Sequence, residues 1–325
     1  MRRLATAPGS AAFVAATLTF AAALGAPLRA QDLNIMLPVS LIEQRLKYEP
    51  MDIIEFRGAR VPTDRTQRAS LVYPDSSLMA IQFAKAPRGG AEFNNEPRYE
   101  MASYVLQKLF LDERDYVVPP TAIRAVPLDW LREFDPSARA TFSRANSVVI
   151  VIQYWLYMVS QDNFYDPARF AADTVYARHF GDFNLFTHLV NHSDANIGNY
   201  LISTSTVNPR VFAVDNGVAF RSEPSDRGFQ WRELRVDRLP RATVERLRAL
   251  TEADLQAALS VLVQFEVQEG ELIMVEPGAP LSTSRGVRES GGVVQFGLTN
   301  PEIRDIWNRM RNVLSRVDSG RITVF

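Results

Sequence analysis

The stretch Phe183–Phe220 reads FNLFTHLVNHSDANIGNYLISTSTVNPRVFAVDNGVAF. Its first residues predict a helix. A polar turn of Asn, Ser, Asp and Gly follows, and two apolar runs, Tyr200-Leu201-Ile202 and Val211-Phe212-Ala213-Val214, predict short strands. Thr204 to Pro209 is polar and carries the turn signal Asn208-Pro209. On this frame His192, Asp194 and Asn199 make the pattern H-x-D-x-x-x-x-N, and Asp215 opens an Asp-Asn-Gly turn after the second apolar run.

That set of side chains suits phosphoryl transfer, which needs a carboxylate near the acceptor hydroxyl and oxygen ligands for the ions that neutralise a triphosphate. Asp194 is the candidate base, and Asn199 and Asp215 are the candidate metal ligands. Asp215 would emerge at the end of a buried strand, and Gly217 would let the backbone turn there. A plain polar turn before an ordinary hairpin would use the same residue types, so the rest of the chain decides.

The chain starts Met1-Arg2-Arg3 and stays uncharged to Leu28, with an Ala-rich apolar centre from Ala11 to Ala26. This has the form of a secretory signal peptide with cleavage after Ala26 or Ala30. The apolar centre is short for a membrane anchor, which needs about 20 residues. Residues 1–30 hold three arginines and no acid, so the remainder has 33 basic and 37 acidic side chains, a net charge of −4. No nucleic-acid footprint follows from that balance. Without cysteine, disulfides and thiolate metal sites are excluded.

From Asp52 the sequence predicts antiparallel strands: Ile53–Phe56, Ala69–Tyr73 and Leu78–Lys85, the last two joined by the turn Pro74–Ser77. The connection Arg57–Arg68, RGARVPTDRTQR, would cover a triphosphate, with Arg60 as a candidate contact, although a solvated basic hairpin reads equally well. Lys85 stands out because the chain has three lysines against thirty-three arginines. An ammonium at the end of a central strand would reach phosphates and would need a carboxylate partner. Glu100, with Glu96 as the alternative, begins a helix marked by Asn94 or Asn95 as cap, Pro97 in its first turn and the apolar positions Met101, Tyr104, Val105 and Leu109. The β-branched run Ser147–Trp155 predicts a buried strand.

Lys85, then EMASYVLQKLF from Glu100, then VVPPT at 117–121, then DANIGN and VDNGVAF, together resemble the atypical kinase superfamily over roughly Phe56 to Phe220. That superfamily includes secretory-pathway kinases of the Golgi casein kinase and four-jointed type, HipA-type bacterial kinases and phosphoinositide kinases. The resemblance implies an α+β, bilobed protein-kinase-like fold, with an antiparallel-sheet lobe over residues 31–155 and a mostly helical lobe over 156–325. It implies ATP with Mg²⁺ or Mn²⁺. It also implies that Lys85 holds the phosphates and pairs with Glu100, that Asp194 is the base, and that Asn199 and Asp215 bind metal. Gln153 and Tyr154 would line the adenine hinge. Departures are Ala195, where the secreted and lipid branches usually have Arg after the catalytic Asp, and the lack of cysteine.

The expected activity is transfer of the γ-phosphate of ATP to a hydroxyl acceptor, first of all a protein, by an exported enzyme without a membrane span. A nucleotide-binding pseudokinase or a metal-assisted hydrolase would use many of the same residues. Zinc is not implied: His188 and His192 are four apart but lie in no zinc-hydrolase motif, and His192 is expected to brace the metal turn. Beyond Phe220, Leu239–Leu250, Thr251–Val263 and Pro301–Val317 predict amphipathic helices, and Phe265–Val294 a hairpin-like insertion. The Arg-rich stretch Arg227–Arg248 reads as a solvated face before it reads as a site for acidic substrates.

Overall fold

The computed structural model describes residues 33–57, 66–92, 95–162, 164–196, 198–220 and 229–325. Arg60 and the signal-like leader lie outside these residues. Among the described residues no helix is long and apolar enough to cross a membrane.

Val39–Lys47 (α1) places Val39, Ile42 and Leu46 in the core at helical spacing. Asp52–Arg57 (β1), Gln67–Val72 (β2) and Leu78–Lys85 (β3) follow as an antiparallel meander. The β2–β3 turn is closed by the Tyr73 N–H donating to Ser77 O at 3.1 Å. Pro97–Gln107 (α2) comes next, then Thr121–Pro127 (β4), Leu128–Arg132 (α3) and Ser147–Tyr154 (β5). The first residue of α2 is Pro97, as the sequence predicts, but its N-cap is Glu96 with no side-chain cap bond, rather than an asparagine.

These strands form one antiparallel sheet in the order β1-β2-β3-β5-β4. Every residue of β5 is buried, because the sheet is covered on both faces. Val148, Ile150 and Ile152 join Ile81 and Phe83 in the main core, while Val149 and Val151 pack with Ile123 of β4 and Met101 of α2 in a second cluster. The alternation of strand side chains thus sets two distinct faces.

The chain continues through Val159–Ser160 (β6), Pro167–Ala172 (α4) and the 16-residue helix Thr174–Leu189 (α5). The Asp173 carboxylate caps α5 by accepting from the Val175 and Tyr176 N–H groups. Phe180 and Phe183 on α5 pack in an aromatic cluster with Phe164, Tyr200 and Trp231. Tyr200–Ser203 (β7) and Val211–Ala213 (β8) then pair as the predicted hairpin.

Phe229–Arg232 (α6), Arg238–Leu239 (β9), Arg241–Ala249 (α7) and Glu252–Leu259 (α8) follow, the last opened by a Thr251/Asp254 capping box. Where the sequence reads as a hairpin-like insertion, Val263–Gln268 (β10), Glu271–Val275 (β11), Val287–Ser290 (β12) and Val293–Phe296 (β13) build a four-stranded sheet, β11-β10-β13-β12. Its two hairpin turns are at Glu269-Gly270 and Gly291-Gly292, all four residues with positive φ. The pairing of β10 with β13 is non-local and leaves no local sequence mark. Phe265, Val294 and Phe296 of this sheet complete the second cluster over Met101 and Ile123. Asn300–Asp318 (α9) and Thr323–Val324 (β14) end the described chain.

Candidate active site

Asp194, Asn199 and Asp215 meet because the β7–β8 hairpin brings its two ends together. Tyr200 lies opposite Ala213, and the Val214 N–H donates to Asn199 O at 2.9 Å. The preceding loop is joined to the far side of the Asp-Asn-Gly turn in the same way. The Ser193 hydroxyl donates to Val218 O (2.5 Å), the Phe220 N–H to Val190 O (2.5 Å) and the Asn191 side-chain amide to Phe220 O (3.0 Å).

Asn199 Nδ2 donates to Asp194 O and to Asp194 Oδ2, both at 2.9 Å, and Asn196 Nδ2 donates to Asp194 Oδ1 at 2.7 Å. The carboxylate is held in one orientation by two amides. With Nδ2 committed to Asp194, the Asn199 amide turns Oδ1 away from it, and Asn199 borders the cleft described below. His192 is fully buried and sets its ring edge-to-face on Tyr200, with centroids 6.3 Å apart. Burial pushes its pKa down to about 4 against the pull of the Asp194 charge, so the ring is neutral at pH 7.

Asp215 adopts φ 58°, ψ 56°, the left-handed region that Asp tolerates better than most residues. The turn expected of Gly217 is therefore made by the candidate ligand itself, and Gly217 has no positive φ. Strain of this kind persists where the surroundings fix it, and it gathers at functional sites.

Glu100 lies behind this turn. The Asn216 and Gly217 N–H groups donate to its carboxylate, while its Oε2 is enclosed without a hydrogen-bond partner. Burial, and then the neighbouring Asp215 charge, raise the Glu100 pKa above the ordinary carboxylate range. Two residues earlier, Arg98 forms a buried bidentate pair with Glu302 of α9, at 2.7 and 3.0 Å, and also holds Glu96 at 2.9 Å. Tyr99 packs on Phe220 with centroids 5.2 Å apart. The helix that bears Glu100 is thus fastened to the C-terminal helix on one side and to the Asp-Asn-Gly turn on the other.

The expected Lys85–Glu100 pair does not form. Lys85 pairs instead with Asp135, in the segment after α3. Against partial burial, hydrogen bonds from Lys85 and Ser137 hold the Asp135 carboxyl below its ordinary value. The reason is strand phase. Lys85 lies opposite Ile150 and shares the face of Ile81 and Phe83, whereas Gln82 and Ala84 point to the other face, where α2 packs.

Between that other face and the β7–β8 hairpin lies a cleft of about 460 Å³. Its sheet wall carries Arg57, Arg68, Gln82 and Gln153, and its hairpin wall carries Asn199, Leu201, Val214 and Asp215. The chain leaving β5, Tyr154 to Leu156, borders one end. Gln153 Nε2 donates to Thr121 Oγ1 (2.9 Å), and that hydroxyl donates to Pro119 O (2.8 Å). Its single proton being used, Thr121 must accept from Gln153, so the Gln153 amide turns Oε1 the other way. Tyr154 borders the cleft, but its hydroxyl is turned away and accepts from the Met36 N–H at 3.2 Å. The Tyr154 and Trp155 N–H groups are bonded to Pro120 O and Ala80 O.

The oxygen donors fit a hard cation. Among the described residues no group of three or more His, Asp or Glu side chains converges as a self-sufficient metal site. Mg²⁺ usually takes only one or two protein carboxylates and completes its shell with phosphate and water, which matches Asp215, the enclosed Glu100 oxygen behind it and the Asn199 amide. Sequence reasoning took Arg57 and Arg68 only as the ends of a connection covering the triphosphate, where the structure puts them on β1 and β2 of the wall, and it missed Gln82. The available signal is alternation in β3, where Gln82 is out of phase with the buried Ile81 and Phe83; strand register then sets Arg68 and Arg57 in line with it.

No family model matches the chain, and no curated protein matches it. Solved structures similar to it include a hydra Fam20 protein with sugar, at 13% identity over 84% of this chain and 86% of that one, with a TM-score of 0.46. A Golgi casein kinase is similar at 13% identity over 87% and 76%, with a TM-score of 0.49. The Golgi casein kinase with Mn/ADP bound gives 13%, the same coverage and 0.47.

Proposed function

We propose that the cleft binds ATP with Mg²⁺ or Mn²⁺ and that the protein transfers the γ-phosphate to a hydroxyl acceptor, in the first instance on a protein. The observation that carries this reading is the meeting of three groups at one end of the β7–β8 hairpin: Asp215 and Asn199 on the cleft wall, and Asp194 held by the Asn199 amide. A bound metal ion would neutralise the phosphate oxygens. Asp215 and the Asn199 amide oxygen would hold it, with Glu100 behind. Asp194 orients the acceptor hydroxyl and takes its proton as the new P–O bond forms and the bond to the leaving diphosphate breaks. Gln153 offers a fixed acceptor oxygen to an exocyclic amino group on the base, and Leu201 and Val214 offer an apolar surface to its ring. The signal-like leader supports action outside the cytoplasm, with a mature chain beginning near Gln31.

A second reading is favoured by one observation. Lys85 faces away from the cleft and Gln82 faces into it, as would suit a nucleotide-binding pseudokinase without turnover. Thermal unfolding with ATP, in the presence and absence of Mg²⁺, tests the shared part of both. At a hundredfold excess over Kd, stabilisation of about 2.7 kcal/mol is expected, and Asp215→Ala should remove its metal-dependent part. Phosphate release or transfer then separates enzyme from pseudokinase. No response to any nucleotide at millimolar concentration would contradict both.

A further inference from the structure

Four residues of the cleft's sheet wall stand side by side across four strands. Arg57 is opposite Arg68, Arg68 is opposite Gln82, and Gln82 is opposite Gln153. Residues directly opposite in an antiparallel ladder share a face, and all four line the cleft. Both cations lie at the β1–β2 end of this row, across from a wall that carries Asp215 and Asn199.

The two arginines are held differently. Arg57 Nε donates to Glu55 at 2.6 Å, and the pair is largely exposed. The Arg68 guanidinium lies over the Trp155 ring, 4.6 Å from its centroid. Stacking uses the flat face of a guanidinium and leaves the N–H edge for a ligand, so it orients the group while keeping its bidentate geometry. Lys85, the cation that the strand end suggested, is on the opposite face and engaged by Asp135.

We infer that Arg68, supported by Arg57, is the cationic contact for the phosphate chain of a polyphosphate ligand in this cleft, in place of Lys85. The inference rests on the reading of the cleft as a nucleotide site. The shared ligand chemistry is a chain of linked phosphates, whether attached to a nucleoside or free. A pair of non-bridging phosphate oxygens matches the Arg fork, and each charge-assisted contact is strong when water is partly excluded.

Titration calorimetry at low salt with sodium tripolyphosphate, ATP and adenosine separates the possibilities. The proteins are wild type, Arg68→Gln, Arg68→Lys, Arg57→Gln and Lys85→Met, with circular dichroism to confirm folding. Arg68→Gln should weaken tripolyphosphate and ATP roughly tenfold to a hundredfold and leave adenosine unchanged. Arg68→Lys should keep part of the affinity, Arg57→Gln should lose less, and Lys85→Met should match wild type. Loss of phosphate binding in Lys85→Met with retention in Arg68→Gln would overturn the inference. Adenosine binding by a wild type that takes no tripolyphosphate would overturn it while sparing the nucleotide site. Arg68-dependent tripolyphosphate binding without any nucleotide affinity would uphold it and sink the nucleotide reading, and binding of neither would overturn both.

Discussion

The two walls of the cleft are built by different means. The hairpin wall is held by hydrogen bonds that span no more than 25 residues of chain: Asn199 to Asp194, Val214 to Asn199, Ser193 to Val218. The sheet wall is held by the register of strands up to about a hundred residues apart, and no side chain in it fixes the others. One wall is therefore sensitive to single polar side chains, while the other depends on backbone pairing that tolerates substitution of what it displays. Substitutions that strike one wall and spare the other test this contrast.

The largest effect belongs to the hairpin wall. Asp194→Asn keeps the shape and removes the proposed base, so turnover should fall by roughly 10²- to 10⁴-fold with nucleotide affinity nearly unchanged, as single-turnover rates and calorimetry would read. An equal loss in affinity would mean that Asp194 is a ligand contact instead.

The support behind that wall comes next. Glu302→Ala leaves Arg98 buried without its bidentate partner, which should cost roughly 3–5 kcal/mol in urea unfolding. Because Arg98 adjoins Tyr99 and Glu100, metal-dependent stabilisation by nucleotide should fall in the same variant. A stability loss with unaltered metal response would separate the anchor from the site.

A pH effect is expected beneath the wall, in α5. Asp182 is buried, and Thr243 donates to it at 2.7 Å. Burial raises its pKa from 3.8 to about 8, against the pull of the Thr243 hydrogen bond. The folded state then keeps a proton that the unfolded chain releases between those values, so this group's contribution falls as pH rises through that window. Tm measured from pH 5 to pH 9 should decline less in Asp182→Asn than in wild type. Parallel curves would show that the carboxyl is not titrating there.

The smallest effect belongs to the sheet. Lys85→Met removes a partly exposed ion pair on the face away from the cleft, and it should cost about 1 kcal/mol or less in urea unfolding.

The same contrast explains what was legible in the sequence. The helix, turn and hairpin around Asp194 and Asp215 were readable because local hydrogen bonds and a five-residue spacing fix them. The extents of β3 and β5 were readable from their apolar runs. The face of Lys85 was not read from its place at a strand end, because a shift of one residue reverses every side chain in a strand. Alternation against Gln82 held that information, but deciding which face is the cleft needs α2 and β7–β8 in place. The left-handed backbone at Asp215 was masked by the glycine two residues on, to which the turn was assigned. The four-stranded sheet was hidden because its β10–β13 pairing joins strands separated by β11 and β12, which no local pattern marks.

The central claim is that Asp215 and Asn199 present a metal-nucleotide site, and binding of Mn²⁺ followed by its electron paramagnetic resonance tests it most directly. With a non-hydrolysable ATP analogue present, the free Mn²⁺ signal should fall on adding wild-type protein and stay near its protein-free level with Asp215→Ala. Equal binding by the two proteins would contradict the account.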